Sequence, residues 1–364
     1  MGEASMIDVR ALRLGAAGAV IALGLTLAAC SSPSVSPSNS PSPSTASADA
    51  TLGNDTQASA LPSDDSSTSP SPTPSPTVSQ PPASTNLDGV EATGGFGESP
   101  TVTVPSPWAI DSTQTKVLVQ GDGPTVPKSG YVQVNYYGVD ARTGETFDES
   151  YSSGTPANFS LNGVVAGFQK GLSGQQVGSR VLIAMPGADG YDANGGQADA
   201  GIALGDTLIF VVDILRTQFD EPTGTTVTPT DASLPVVAGT VDAPTITIPE
   251  GATAPTSLVV QDLVVGEGPA VVATDAVVIN YAEYLWDGGK LVRQTYGYAP
   301  LTGMLSSTIP GWQQALVGKT AGSRIELVVP ADQAYPDGAP KLDVPAGSTM
   351  VYLIDVLYSW TPSA

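Results

Sequence analysis

The side chains able to do chemistry in this 364-residue chain are overwhelmingly carboxylates: 35 Asp and Glu, against one cysteine and no histidine. Without imidazole there is no Ser-His-Asp hydrolysis, no Cys-His nucleophile and no His-ligated zinc. Cys30, the single cysteine, allows neither an intrachain disulfide nor a Cys-rich metal site. An all-carboxylate metal site or a carboxylate pair doing acid-base work passes this filter. The loop Asp189-Gly190-Tyr191-Asp192-Ala193-Asn194-Gly195, with Asp199 beyond it, lacks the alternating D-x-D-x-D-G spacing of a calcium loop and reads as a solvated turn. Gly171-Leu172-Ser173-Gly174 is not a G-x-S-x-G elbow, and no histidine exists to activate its serine. Thirteen Lys and Arg leave a net charge of -22, which favours solubility and argues against binding nucleic acid. No metal or cofactor is called for.

The elements that must carry any site are mostly strands. Val132, Val134 and Tyr136 alternate with Gln133, Asn135 and Tyr137, and Val181, Ile183 and Met185 alternate with Leu182 and Ala184. Leu208 to Leu215 is apolar on both faces up to Asp213, which places it mid-sheet. Phe168 and Leu172 sit four apart, as do Trp312 and Leu316, each pair marking one face of a helix of about three turns. A mainly antiparallel sheet with one helix across it is an α+β arrangement.

That arrangement occurs twice. Pro100-Thr101-Val102-Thr103-Val104-Pro105 returns as Pro244-Thr245-Ile246-Thr247-Ile248-Pro249, Gly121-Asp122-Gly123-Pro124 as Gly266-Glu267-Gly268-Pro269, and Val134-Asn135-Tyr136 as Ile279-Asn280-Tyr281. Val177-Gly178-Ser179-Arg180 is echoed by Ala321-Gly322-Ser323-Arg324, and Thr207 to Leu215 by Thr349 to Leu357. The offset, roughly 142 to 145 residues, suits a duplicated domain rather than a solenoid unit.

The N-terminus has the parts of an export signal: Arg10 and Arg13, an apolar run from Leu14 to Leu27, and the small-residue close Leu27-Ala28-Ala29-Cys30. Leu-Ala-Ala-Cys resembles the lipobox of bacterial lipoproteins, which implies lipidation of Cys30; the alternative is a plain secretory signal with a chance cysteine. The expected organisation is a signal over 1–29, a disordered Ser/Pro-rich tether over 30–99, a first domain over 100–220, a linker over 221–242 and a second, degenerate domain over 243–364. The expected location is the outer face of a bacterial membrane.

In order and spacing, Tyr136, Phe147-Asp148, Val164-Val165-Ala166-Gly167-Phe168, Pro186 with Gly190-Tyr191, and Thr207-Leu208-Ile209-Phe210 resemble the FKBP-type peptidyl-prolyl isomerases. The likeness runs from about 115 to 217 and, more weakly, from about 257 to 359. It implies a half-wrapped, roughly five-stranded sheet around a short helix with an apolar pocket between them. Tyr136, Phe147, Asp148, Val165 and Tyr191 would act on the substrate, and Val164, Phe168, Ile202 and Phe210 would bind it. Phe168 stands where the family usually has tryptophan, Ser153 where a basic partner for the aspartate is usual, and Ala157 where an aromatic wall is common.

In the second copy Tyr281, Ile309, Trp312, Tyr335 and Tyr352 match pocket positions, but the Phe-Asp pair is Val292-Arg293, which would reverse the charge beside the reacting amide. The resemblance therefore implies an isomerase acting on X-Pro bonds of exported proteins, mainly through the first domain. The rivals are a non-catalytic surface module that binds proline-containing segments or cell-wall components, and an acidic chaperone.

Overall fold

The structure is a computed structural model and describes residues 80–362. The expected signal peptide, Cys30 and most of the expected tether lie outside these residues.

The first domain holds β1 (Glu91–Thr93), β2 (Thr101–Thr103), β3 (Gln114–Val119), β4 (Tyr131–Asp140), β5 (Thr146–Glu149), β6 (Ala157–Ser160), α1 (Ala166–Leu172), β7 (Arg180–Met185) and β8 (Leu208–Thr217). Its antiparallel sheet has the order β3-β7-β8-β4-β5, and β6 pairs with the first half of β4. The second domain repeats it with β9 (Gly224–Thr226), β10 (Val236–Gly239), β11 (Pro244–Thr247), β12 (Val259–Gly266), β13 (Ala276–Leu285), β14 (Leu291–Gln294), β15 (Leu301–Met304), α2 (Pro310–Leu316), β16 (Arg324–Val329) and β17 (Met350–Trp360). Its sheet runs β14-β13-β17-β16-β12-β9, with β15 on β13. β8 and β17 lie mid-sheet and are apolar on both faces, as burial of both sides requires.

Both helices span seven residues, about two turns rather than three. They lie close to the sheet: a Cβ added at Gly167 would come within 2.5 Å of Met185, and one at Gly171 within 2.5 Å of Ile183. Glycine at these positions, four apart on one face, is what lets α1 lie on β7 and bury Phe168 and Leu172 against it.

The opposite face of each sheet is also apolar and is covered by a strap. In the first domain Leu182, Ala184, Ile209 and Val211 pack against Val90 and Ile110, with Val102, Val104 and Trp108 at the edge. In the second, Val328, Val351 and Leu353 pack against Leu234 and Ile246. The straps are the hairpins β1–β2 and β10–β11. Residues 80–99, expected as the end of the tether, and 221–242, expected as a linker, are mostly exposed but bury Val90 and Leu234 against the sheets. Their composition is that of a linker, but a few apolar side chains suffice when the sheet beneath offers a dry face.

Each strap is pinned by the same buried triad. Arg180 grips Asp213 through two nitrogens at 2.6 and 2.7 Å, the Tyr151 hydroxyl donates to Asp213 at 2.9 Å, and the guanidinium also donates to the strap carbonyls of Gly94 and Glu98. Arg324, Asp355 and Tyr296 repeat this, with Arg324 reaching Val241 O at 3.2 Å. Bidentate geometry and the added hydrogen bonds compensate the burial of both charges.

Candidate functional site

In the first domain the groove between α1 and the sheet gathers the residues that the motifs pointed to. Phe168, Ile202 and Phe210 are buried in one apolar cluster, with Tyr136, Phe147, Val164, Val165 and Tyr191 half-buried against it. Phe210 is the hub: Phe147 and Phe168 each meet it edge-on at 5.4 Å, and Tyr136 is tilted against it at 6.5 Å. Such edge-to-face contacts hold rings in fixed orientations and leave a rigid wall. Phe159, which the motifs did not indicate, supplies a further wall, 5.7 Å from both Tyr136 and Phe168. It lies on the same face of β6 as Ala157, two residues on, so the missing aromatic at Ala157 has a neighbour in strand register to replace it.

The polar groups sit at the rim. Asp148 is exposed and accepts the Tyr136 hydroxyl at 2.6 Å. Burial raises the pKa of Tyr136, and the bond to Asp148 raises it further; Tyr191 is raised by burial and then by the Asp148 charge. Both phenols are therefore proton donors at neutral pH, with no capacity to serve as bases. The Val165 N–H, at the entry to α1, has no hydrogen-bond partner among the described residues. Ser153 caps its own turn by donating to Ser150 O at 2.8 Å, so no cation partners Asp148 from that position.

The loops beside the groove are tied down. Lys170 on α1 reaches Asp189 at 2.7 and 2.8 Å, and Thr113 donates to the same carboxylate, which fixes the turn leading to Tyr191. Asp192 accepts the Gly205 N–H at 2.7 Å. The carboxylates of the calcium-like loop thus hold protein groups. Arg142, bound to Asp140 and Asp206, donates to Gly201 O at 3.1 Å, next to Ile202.

The second groove keeps part of this frame, with Val292 in the register of Phe147 and Gly303 in that of Phe159. Trp312 lies beneath Tyr281 and Tyr352 at ring distances of 5.2 and 5.3 Å, with Ile309 and Tyr335 half-buried alongside. Arg293 stands in the place of Asp148, and its charge has a partner. It is bound to Glu283, a fully buried carboxylate directly opposite it across β13 and β14. Glu283 also accepts the Tyr352 hydroxyl at 2.8 Å, and Arg293 donates to the Tyr335 hydroxyl at 2.9 Å while lying over the Tyr281 ring. Burial opposes the charge on Arg293, but the attraction of Glu283 outweighs it and raises the guanidinium pKa.

The repeat itself explains the exchange. Glu283 occupies the register of Gly138, where a Cβ would come within 2.6 Å of the Phe147 ring. Glycine there makes room for Phe147; in the second domain the small Val292 replaces the phenylalanine and Glu283 takes the space.

A half-wrapped antiparallel sheet, a two-turn helix and an aromatic groove between them define the class of domain present twice here, with a Tyr–Asp rim in the first copy. Both copies match the family described as FKBP-type peptidyl-prolyl cis-trans isomerase, over residues 123–215 and 268–357, and the chain belongs to that family. A probable FK506-binding protein of Corynebacterium glutamicum is 35% identical over 119 residues, covering 32% of this chain and 98% of that relative. An FK506-binding protein of Streptomyces anulatus is 37% identical over 120 residues, 32% of this chain and 96% of the relative. FkpA of Escherichia coli, an FKBP-type peptidyl-prolyl cis-trans isomerase, is 36% identical over 106 residues, which is 29% of this chain and 38% of FkpA.

Proposed function

We propose that the chain catalyses cis-trans isomerisation of X-Pro bonds in exported proteins through its first groove, and that the second groove is not catalytic. The observation that carries this reading is the contrast between a groove walled by aromatic rings with Asp148 at its rim and a counterpart in which the buried Glu283 carboxylate is paired with an exposed Arg293.

The reaction asks little of side-chain chemistry. Amide resonance must be lost at the twisted state, a barrier of about 18–20 kcal/mol, and no bond to hydrogen is made or broken. Enclosure by Phe147, Phe159, Phe168 and Phe210 removes the water that stabilises the planar, charge-separated amide, and binding energy favours the twisted form. A reduction of about 5–8 kcal/mol corresponds to a 10⁴–10⁶-fold acceleration. The free Val165 N–H and the Tyr191 hydroxyl are placed to hold substrate carbonyls, with Asp148, steadied by Tyr136, beside the twisting one.

Lipidation of Cys30 would hold this activity at the outer face of the membrane, where newly exported chains emerge. Globomycin-type inhibition of lipoprotein processing, followed by a shift in the mobility of the protein, checks that part.

The test of the catalytic reading is an isomerisation assay on an X-Pro tetrapeptide with the full chain, with FK506 (named for two of the relatives) as the inhibitor. Acceleration that FK506 abolishes supports the reading. A folded chain that gives no acceleration would leave a binding module built on the same scaffold.

A further inference from the structure

The two domains are joined without slack. Two residues after β8, the Phe219 N–H donates to Leu357 O at 3.0 Å and its ring packs against the core of the second domain. Four residues later the Thr223 N–H donates to Gly322 O, and β9 adds to β12.

The contact that follows falls on a particular part of the first domain. Tyr131, at the start of β4, stacks on Trp360 at 4.7 Å and on Tyr358 at 6.0 Å, both from the end of β17. Arg216 of β8, held by Gln133, lies over the Tyr358 ring at 5.5 Å. The Tyr358 hydroxyl, from a residue only 2% exposed, donates to Asn158 Oδ1 at 2.8 Å.

Asn158 belongs to β6, a four-residue strand whose one pairing partner is β4. Successive side chains of a strand point to opposite faces, so Asn158 faces the second domain while Phe159, its neighbour, faces the groove. The same short strand runs on through Leu161 toward Val164 and Val165 at the head of α1. A weakly paired edge strand is drawn from the least stable part of a sheet, and one outside contact can decide where it rests.

We infer that the second domain serves the first as a fixed buttress, with Tyr358 a positioning residue that sets the Phe159 wall of the first groove through Asn158. The inference rests on the reading of that groove as the substrate site. It also gives the second domain a use that its own groove does not.

The test compares Tyr358→Phe, Asn158→Ala, the double variant and Asn158→Asp in the full chain. Two readouts are taken: amide cross-peaks of Phe159 and Val165 in ¹H–¹⁵N spectra, and KM and kcat for the X-Pro peptide. Tyr358→Phe keeps the ring stack and removes one hydrogen bond, so KM should rise about three- to tenfold with kcat little changed. Asn158→Ala should match it, the double variant should add nothing further, and Asn158→Asp, which keeps the acceptor oxygen, should restore both readouts. Unmoved cross-peaks in Tyr358→Phe, or effects of the two single variants that simply add, would overturn the inference. If the unmodified chain proves inactive, the catalytic reading fails, while the cross-peaks still decide whether Tyr358 sets the wall.

Discussion

Gly138 and Glu283 occupy the same place on the same strand of two copies of one sheet, and most of what separates the two grooves follows from that exchange. Glycine leaves a space that an aromatic ring fills, so the first groove is lined by carbon and keeps its carboxylate outside, at the rim. Glutamate brings a charge into that space, and the partner strand answers with Arg293 where the first copy has Asp148. A duplicated pocket can thus lose its apolar character by a paired substitution that leaves the backbone register intact.

The contrast breaks most visibly at Glu283. Glu283→Ala leaves the exposed Arg293 without its counter-charge and the buried Tyr352 hydroxyl without its acceptor, and should destabilise the second domain by about 1–3 kcal/mol in denaturant titrations. Exchanging the set together, as Glu283→Gly with Val292→Phe, Arg293→Asp and Gly303→Phe, should instead rebuild the first groove in the second domain. Calorimetry with an X-Pro peptide should then read two sites per chain in place of one.

The next effect concerns the opposite face of the second sheet. Glu326 stands in the register of Leu182, is 2% exposed, and has one oxygen without a partner among the described residues. It lines a cleft of about 530 Å³ beneath the strap. Burial raises its pKa from 4.5 to about 7, against a smaller lowering by Gln261. Because the folded pKa lies above the unfolded value, the folded state holds the proton more tightly. Stability should therefore fall as pH rises from about 4.5 to about 7 and level off above that. The loss amounts to as much as about 3 kcal/mol, since each pH unit separating the folded and unfolded pKa is worth about 1.36 kcal/mol. Glu326→Leu should remove this component, and the difference in stability between variant and parent, measured from about pH 4 to about pH 8, checks it.

The smallest of these effects lies at the rim. Asp148→Ala should lower kcat/KM in the X-Pro assay by about tenfold without a comparable loss of stability, since the carboxylate is exposed and accepts only from the Tyr136 hydroxyl and the adjacent Glu149 N–H among the described residues. An equal loss in a Tyr136→Phe variant would show that the pair acts as a unit.

These residues also mark how far the sequence could be read. The sheet and helix were legible because burial on one face imposes its period on Val132, Val134, Phe168 and Leu172. The duplication was legible because the same burial recurs at a constant offset. The groove aromatics were legible from a family likeness rather than from chemistry, since no single one of them has a distinctive environment until the sheet closes around it.

The straps were missed because Pro, Thr and Gly dominate them. The signal lay elsewhere, in β7 and β8, whose apolar residues on both faces demand two covers when α1 can supply only one. Glu283 was missed because it has no meaning alone. It becomes legible when the duplicated strands are laid in register and its place is found directly opposite Arg293. The contact of Tyr358 with Asn158 joins residues 200 apart in the chain and leaves no periodic trace.

The central contrast is between one groove lined by aromatic rings and another that holds the Glu283–Arg293 pair. Its most direct test is a ¹H–¹⁵N titration of the full chain with an unlabelled X-Pro peptide. Saturable shifts at Val165 and Tyr191, with Ile309 and Tyr335 unmoved, are the predicted result. Shifts of equal size and affinity in both sets, or confined to the second, would contradict it.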